Sequence, residues 1–204
     1  MSPVLPVILS VRHSETEWSA TGRHTGLTDV PLTPRGESDA ARLKVRLHDR
    51  IELPAFTSPL QRASRTAALT GFEHAEVDAD LVEWDYGEYE GLTTAAIRER
   101  RPGWELFRDG CPGGESAVDV GVRADRVIAK LRARNADGAI FSSGHFLRVL
   151  AARWLGLEPE GGRLFILGTA AVCELGYDHD LGEPCFRLWN DTAHLRPDTP
   201  PEGR

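Results

Sequence analysis

Short apolar runs alternate along this chain with longer stretches in which apolar residues recur every three or four positions. Val7 to Val11 is a β-branched run suited to a buried strand. A polar, glycine-punctuated stretch follows, and Thr33-Pro34 then marks a helix start, with Thr33 as N-cap and proline at the first helical position. Ala40, Ala41, Leu43 and Leu47 give that helix its apolar stripe. Pro54 to Thr57 forms a second strand, leading into Ser58-Pro59-Leu60-Gln61, which has the pattern of a capping box opening a helix that runs to Gly71. Ala139 to Ser142 is another strand, Phe146 to Leu155 an apolar helix, and Ala170 to Tyr177 and Pro184 to Leu188 are closing strands. This order predicts an α/β fold of three layers, a mostly parallel sheet flanked by helices. One domain is expected over 1–195, followed from Arg196 by a frayed tail with three prolines.

Composition narrows what such a fold binds. The chain has 204 residues, with 24 Lys+Arg against 31 Asp+Glu, a formal net charge of −7. That balance argues against nucleic-acid binding and against a polybasic membrane surface. It admits a small anionic ligand only where positive charge is concentrated locally. Cys111, Cys173 and Cys185 are far apart and lack zinc-type spacing, so neither a metal site nor a disulfide framework is expected, and a reducing cytoplasm is the expected location. Met1 to Pro6 carries no basic segment, so Val7-Ile8-Leu9 is read as strand and not as a secretion signal, and no apolar run is long enough to span a membrane.

Ligands of α/β sheets bind beyond the carboxyl ends of strands. Three such ends carry unusual side chains: Arg12-His13, Ser58 to Arg62, and Ser142-Ser143-Gly144-His145. Taken alone, His13 reads as a core histidine and Arg12 as the partner of a surface acid. The chemical alternative is that His13 attacks a phosphoryl group whose oxygens Arg12 holds bidentately. Arg62 lies in a first helical turn, where the dipole favours an anion and not a cation, so it is either a solvated arginine or the partner of an external anion. Arg65, one turn later, is expected to be solvated. Leu81 to Gly91 contains Glu83, Asp85, Glu88 and Glu90 among large aromatics. The last three acids are expected in solvent, whereas Glu83 against apolar rings would have the raised pKa of a general acid. A divalent-ion site is the competing reading of these carboxylates, but no histidine accompanies them at ligand spacing. Ser143 reads either as an ordinary N-cap or, with the backbone N–H groups of its turn, as part of an oxyanion cradle.

Together these segments resemble the histidine phosphatase superfamily, in its phosphoglycerate-mutase-like branch. The family's R-H-G-E-T-x-W motif is met as Arg12-His13-Ser14-Glu15-Thr16-Glu17-Trp18, and its next loop as Gly22 to Thr33. Its S-x-L-x-R-A motif is met as Ser58 to Ala63, and its acid segment as Glu83-Trp84-Asp85-Tyr86-Gly87 with Tyr89-Glu90-Gly91. Gly110 to Ser116 and the helix from Gly144 continue the likeness, which spans nearly the whole chain.

The resemblance implies a phosphoglycerate-mutase-like fold and a metal-independent, cofactor-free hydrolysis of small phosphate monoesters, sugar phosphates or bisphosphates among them. His13 would form a phosphohistidine, Arg12 and Arg62 would hold the phosphoryl oxygens, Glu83 would protonate the leaving alcohol, and water would release phosphate. Ser19, Thr25, Gly26, Trp84 and Tyr89 would contact the substrate. The sequence departs from the family at two places. Ser14 stands where glycine is usual, and Ser143 stands where a second catalytic histidine is usual, with His145 two residues on. Either His145 takes over that role or Ser143 supplies a neutral hydrogen bond. A mutase, or a phospholigand-binding protein with weakened catalysis, are the alternative functions. Self-association is left open.

Overall fold

The computed structural model describes residues 5–196. Its centre is one six-stranded sheet: β1 (Ile8–Arg12), β2 (Ala55–Thr57), β3 (Glu76–Val77), β4 (Gly138–Ser142), β5 (Val172–Tyr177) and β6 (Pro184–Asp191), in the order β3-β2-β4-β1-β5-β6. The strands β3, β2, β4 and β1 are parallel, whereas β5 and β6 extend the sheet antiparallel. The sheet is thus mostly parallel, as expected, with an antiparallel pair of strands at one edge. Its helical connections are α1 (Glu17–Ala20), α2 (Pro34–Arg46), α3 (Gln61–Leu69), α4 (Thr94–Arg100), α5 (Leu106–Asp109), α6 (Ala117–Arg134) and α7 (Gly144–Trp154).

Side chains alternate across a strand, and here the alternation divides the core in two. Leu9 and Val11 of β1, with Ala139 and Phe141 of β4, pack against Leu43 and Leu47 from the α2 side and Ala67 of α3. Ile8 and Ile140 point the other way, into a larger cluster with Val120, Ala124 and Val127 of α6 and Phe146, Leu147 and Leu150 of α7. The expected three layers follow: α2 and α3, the sheet, then α6 and α7. Every residue of β4 is buried, as a central parallel strand requires. The frayed tail expected from Arg196 lies, beyond that residue itself, outside the described residues.

Local signals succeed where one segment suffices. Thr33 accepts the N–H of Gly36 at 3.0 Å, and Pro34 occupies the first turn of α2 as expected. Two expectations are corrected. Ala41 is exposed, and it is Asp39 that joins Ala40 and Leu43 on the inward face of α2. The Ser58–Gln61 capping box does not form. The helix begins at Gln61, and Ser58 accepts only from the N–H of Leu60, at 3.3 Å. The cap comes instead from Asp29, which accepts the Gln61 N–H at 2.8 Å, while the Gln61 amide donates to the Asp29 carbonyl at 2.8 Å.

Asp29 thus fastens the polar loop before α2 onto the start of α3. Asp29→Ala should cost about 1 kcal/mol of stability, the ordinary worth of an N-cap, read as a lowered midpoint in denaturant unfolding. No loss would show that the loop is held without it.

Candidate active site

The parallel ladder of β1, β4 and β2 continues one residue past the strand ends. His13 N–H donates to Ser142 O at 2.9 Å, and Ser58 N–H donates to Phe141 O at 3.0 Å. The chains after β1, β2 and β4 are therefore brought side by side at the carboxyl edge of the sheet. A cavity of about 230 Å³ opens there. Arg12, His13, Glu83, Tyr86, His145 and Arg148 line it, with Ser19 of α1, Arg23, His24 and Thr25 of the loop that follows, and Thr94 of α4.

His13 is buried, and its Nδ1 lies 2.7 Å from the Ser14 carbonyl. A carbonyl only accepts, so the ring proton sits on Nδ1 and Nε2 carries the lone pair. Burial first, then the charges of Arg12 and Arg62, push the imidazole pKa well below its ordinary value. The ring is consequently neutral around pH 7. Arg12 donates from Nη1 to Leu167 O, while its enclosed Nε has no partner among the described residues. A buried donor left open in a cavity that also presents an unprotonated imidazole is complementary to an anion. Gly144 makes room for that guanidinium: a Cβ there would lie 3.1 Å from Arg12 Cζ.

Glu83 is not packed as an acid against apolar rings. Its Oε1 accepts from the N–H groups of Trp84 (2.9 Å) and Phe146 (2.7 Å), and Oε2 accepts from the N–H of His145 (2.9 Å). The backbone donors that suited an oxyanion cradle are therefore taken by the protein's own carboxyl group, which caps α7. Ser143, the N-cap residue of α7, makes no side-chain cap. Arg123 secures the segment before the acid by donating to Asp80 O, Val82 O and Glu83 O while pairing with Glu115 at 2.8 Å. Asp85 and Glu90 are equally engaged. Asp85 accepts from Gly87 N–H, and Glu90 accepts from the N–H groups of Gly26 and Thr28. Neither is the solvated acid expected.

Several sequence candidates lie away from the cavity lining. Trp84 is fully buried, donating from Nε1 to Glu115 O and meeting Phe107 edge-on. Tyr89 packs edge-on against Trp104. Gly26 supports the wall from behind, where a Cβ would strike Trp84 O at 2.6 Å. Arg62 is completely buried, and its guanidinium donates to the carbonyls of Thr25 (3.1 Å), Gly26 (2.7 Å) and Thr28 (2.9 Å) and to Ser143 Oγ (3.3 Å). Ser143 is likewise fully buried against it. Arg65 pairs with Glu37 at the surface, as expected of a solvated arginine.

Tyr86, His24, Arg23, Arg148 and Thr94 were not anticipated. Tyr86 OH lies 2.6 Å from His145 Nδ1. Burial, followed by the charge of Glu83, raises the phenol pKa well above 10, so the hydroxyl keeps its proton and donates it to Nδ1. Burial, then Arg148, His24 and Arg12, keep His145 neutral as well, which leaves its one ring proton on Nε2. His145 is thereby fixed as a neutral N–H donor on the cavity wall.

The family model described as the histidine phosphatase superfamily, branch 1, matches residues 8–192. The chain belongs to that superfamily. An acid phosphatase of Mycobacterium tuberculosis is 42% identical over 195 residues, covering 93% of this chain and 95% of that protein. The sedoheptulose 1,7-bisphosphatase of Saccharomyces cerevisiae is 35% identical, covering 92% and 86%. Among solved structures, a Mycobacterium tuberculosis protein superposes with a TM-score of 0.85 at 39% identity, over 91% of this chain and 97% of the other. A mycobacterial glucosyl-3-phosphoglycerate phosphatase superposes at 0.82 with 26% identity, over 92% and 100%. The chain thus has phosphatase relatives along nearly its full length, and no helix among its described residues is long and apolar enough to cross a membrane.

The buried neutral histidines set a pH dependence of stability. His24 has its pKa lowered by burial to about 4, against 6.5 when unfolded. Between those values the unfolded chain binds the proton and the fold excludes it, so stability is complete above pH 6.5 and is lost as pH falls. His24 alone should cost about 2 kcal/mol between pH 6.5 and 5, and His13 and His145 act in the same direction. Urea unfolding at pH 7 and pH 5 measures this loss, and His24→Gln should flatten it by His24's share.

Proposed function

We propose that the chain is a metal-independent phosphatase of small phosphate monoesters, sugar phosphates and bisphosphates among them, working through a phosphohistidine. The observation that carries the reading is that His13, with an unprotonated Nε2, and Arg12, whose Nε has no partner among the described residues, line one arginine-rich cavity. His13 Nε2 attacks phosphorus, the bond to the ester oxygen breaks, and that oxygen leaves as an alcohol with a proton from Glu83. Oε1 of Glu83 already accepts two N–H bonds, whereas Oε2 accepts one and keeps a free position for the transferred proton. Water then attacks the phosphohistidine, giving its proton back to Glu83 and releasing inorganic phosphate.

Arg12 and the Nε2–H of His145 supply donors to the phosphoryl oxygens. His145, oriented by Tyr86, takes the place of the histidine that the family carries where Ser143 stands. Arg62 acts as a positioning residue, holding the Thr25–Thr28 wall and adding positive potential beside His13. Of the loop candidates, Ser19 and Thr25 contribute to the cavity wall. Among the described residues Glu83 is the one carboxylate lining the cavity, fewer oxygens than Mg2+ or Ca2+ takes.

Phosphate release from small monoesters should persist in excess EDTA and vanish in His13→Ala, and quenching of wild type in alkaline detergent should trap a phosphoenzyme that is stable to alkali and labile to acid. Turnover lost to EDTA and restored by a divalent ion would defeat the mechanism. Isomerisation of 3-phosphoglycerate without free phosphate would favour a mutase instead, and tight binding without turnover would favour a ligand-binding protein.

His145→Phe should lower kcat by roughly 10²–10³, the usual worth of one preorganised donor to an oxyanion. Tyr86→Phe should impair kcat less. It should also expose a new dependence on pH as the His145 tautomer is released, an effect that loss of packing alone would not produce.

A further inference from the structure

Arg12 is fastened twice to the segment that joins α7 to β5. Its backbone N–H donates to Ala171 O at 3.1 Å, and its guanidinium Nη1 donates to Leu167 O at 2.5 Å. The five donors of a guanidinium are fixed relative to one another, so a carbonyl that receives one of them sets where the planar fork points. With Nη1 so bound, Nε is the enclosed donor left open. The aim of that donor therefore depends on what orients the peptide group between Leu167 and Gly168.

This peptide group is held from β6. Its N–H, that of Gly168, donates to Asn190 Oδ1 at 2.8 Å, so one planar unit accepts from Arg12 and donates to Asn190. The preceding carbonyl, Ile166 O, accepts from Trp189 Nε1 at 2.8 Å. Adjacent residues of a regular strand point to opposite faces, yet Trp189 and Asn190 both reach this one segment. The register explains how. Val172 pairs with Asp191 and Glu174 with Leu188, so β6 carries one extra residue there, and such a bulge bends the strand and re-aims its side chains. Asn190 adopts a φ of 56°, in the left-handed region that asparagine tolerates better than most residues. The Trp189 ring stacks on Phe186 with centroids 4.7 Å apart. Neither side chain lines the cavity.

We infer that Asn190 and Trp189 are positioning residues, which act through the peptide group between Leu167 and Gly168 to aim the Arg12 guanidinium, and with it the open Nε–H, at the phosphoryl group. This rests on the reading of the cavity as a phosphatase site, and it extends the site's support to the antiparallel edge of the sheet.

Two variants remove the bonds and leave the scaffold. Asn190→Gly keeps the left-handed backbone free of strain and deletes the acceptor, and Trp189→Phe keeps an aromatic ring against Phe186 and deletes the N–H. In calorimetric titration of the full chain with inorganic phosphate, both should bind more weakly than wild type, Asn190→Gly by roughly tenfold, the worth of one well-aimed charge-assisted hydrogen bond. Urea unfolding of the same samples checks that they are folded. An Arg12→Lys background separates aim from fold. Lysine keeps the charge but has no planar fork to aim, so there Asn190→Gly should change phosphate affinity by less than about twofold. Losses of equal factor in the two backgrounds, or phosphate affinity unchanged in both Asn190→Gly and Trp189→Phe, would overturn the inference. Failure of the phosphatase reading shows elsewhere, as turnover that survives His13→Ala, because the coupling to Arg12 is read from phosphate binding alone. Wild type that does not bind phosphate would overturn both.

Discussion

The Glu83 carboxyl group, set on the amino terminus of α7, is the interaction on which the site's architecture turns. The first N–H groups of a helix have no partner within it and must be satisfied from outside. Here two of them are satisfied by Glu83, 62 and 63 positions earlier in the chain, which binds the loop after β3 to the turn after β4. Tyr86 follows three residues later and is thereby held within reach of His145. The helix needs a cap, and the cap that it receives brings a carboxyl group, a phenol and an imidazole to one cavity wall. Local stability and the placement of chemistry are met by the same three hydrogen bonds.

The opposite wall is organised by a cation. Arg62 emerges from α3 and donates to three carbonyls of the loop before α2, while Asp29 of that loop caps α3 in return. This exchange explains an arginine in a first helical turn, where the dipole alone opposes it. The compensation comes from carbonyl oxygens and not from a free carboxylate, so the positive potential of Arg62 is retained beside His13. Ser143 contributes to the same wall through its contact with Arg62. In a relative with histidine at this position, the larger ring would have to share that space. The serine leaves the role of neutral donor to the residue that Tyr86 orients.

Much of this was legible in the amino-acid sequence, and the boundary falls along a physical line. The strands, the Thr33 cap, the division of the core and the Arg12-His13 pair are encoded within single segments, by alternation, helical spacing or a local hydrogen bond. Ser58 to Gln61 has every letter of a capping box, yet Asp29, distant in sequence, wins the contest for the Gln61 N–H. Trp84 and Tyr89 look like binding residues because aromatic rings beside acids often are, but their rings are worth more in the core, against Phe107 and Trp104. Arg148 and His24 could not be chosen from one segment. Arg148 resembles any polar position of an apolar helix, and its place on the cavity lining appears only in the folded chain. A signal was present all the same: Arg148 is the one charged residue between Gly144 and Ala152.

The molecule's overall charge and its cavity pull in opposite directions, and the contrast shapes what can enter. A surface carrying a net −7 repels extended polyanions, while salt confines that repulsion to within roughly 8–10 Å of the surface. On the proposed reading, a small ester crosses this layer and meets Arg12, Arg23 and Arg148, with Glu83 the one carboxyl group beside them among the described lining residues, in a recess where water screens less. At the buried end the imidazoles stay neutral because burial makes a further cation there too costly. Positive charge is therefore carried by guanidinium groups, which do not give up their proton, and proton chemistry is left to Glu83 and to imidazoles with assigned tautomers. In the proposed reaction, separating the groups that bind charge from those that move protons would let the cavity hold an anion without protonating His13 Nε2, the attacking nitrogen.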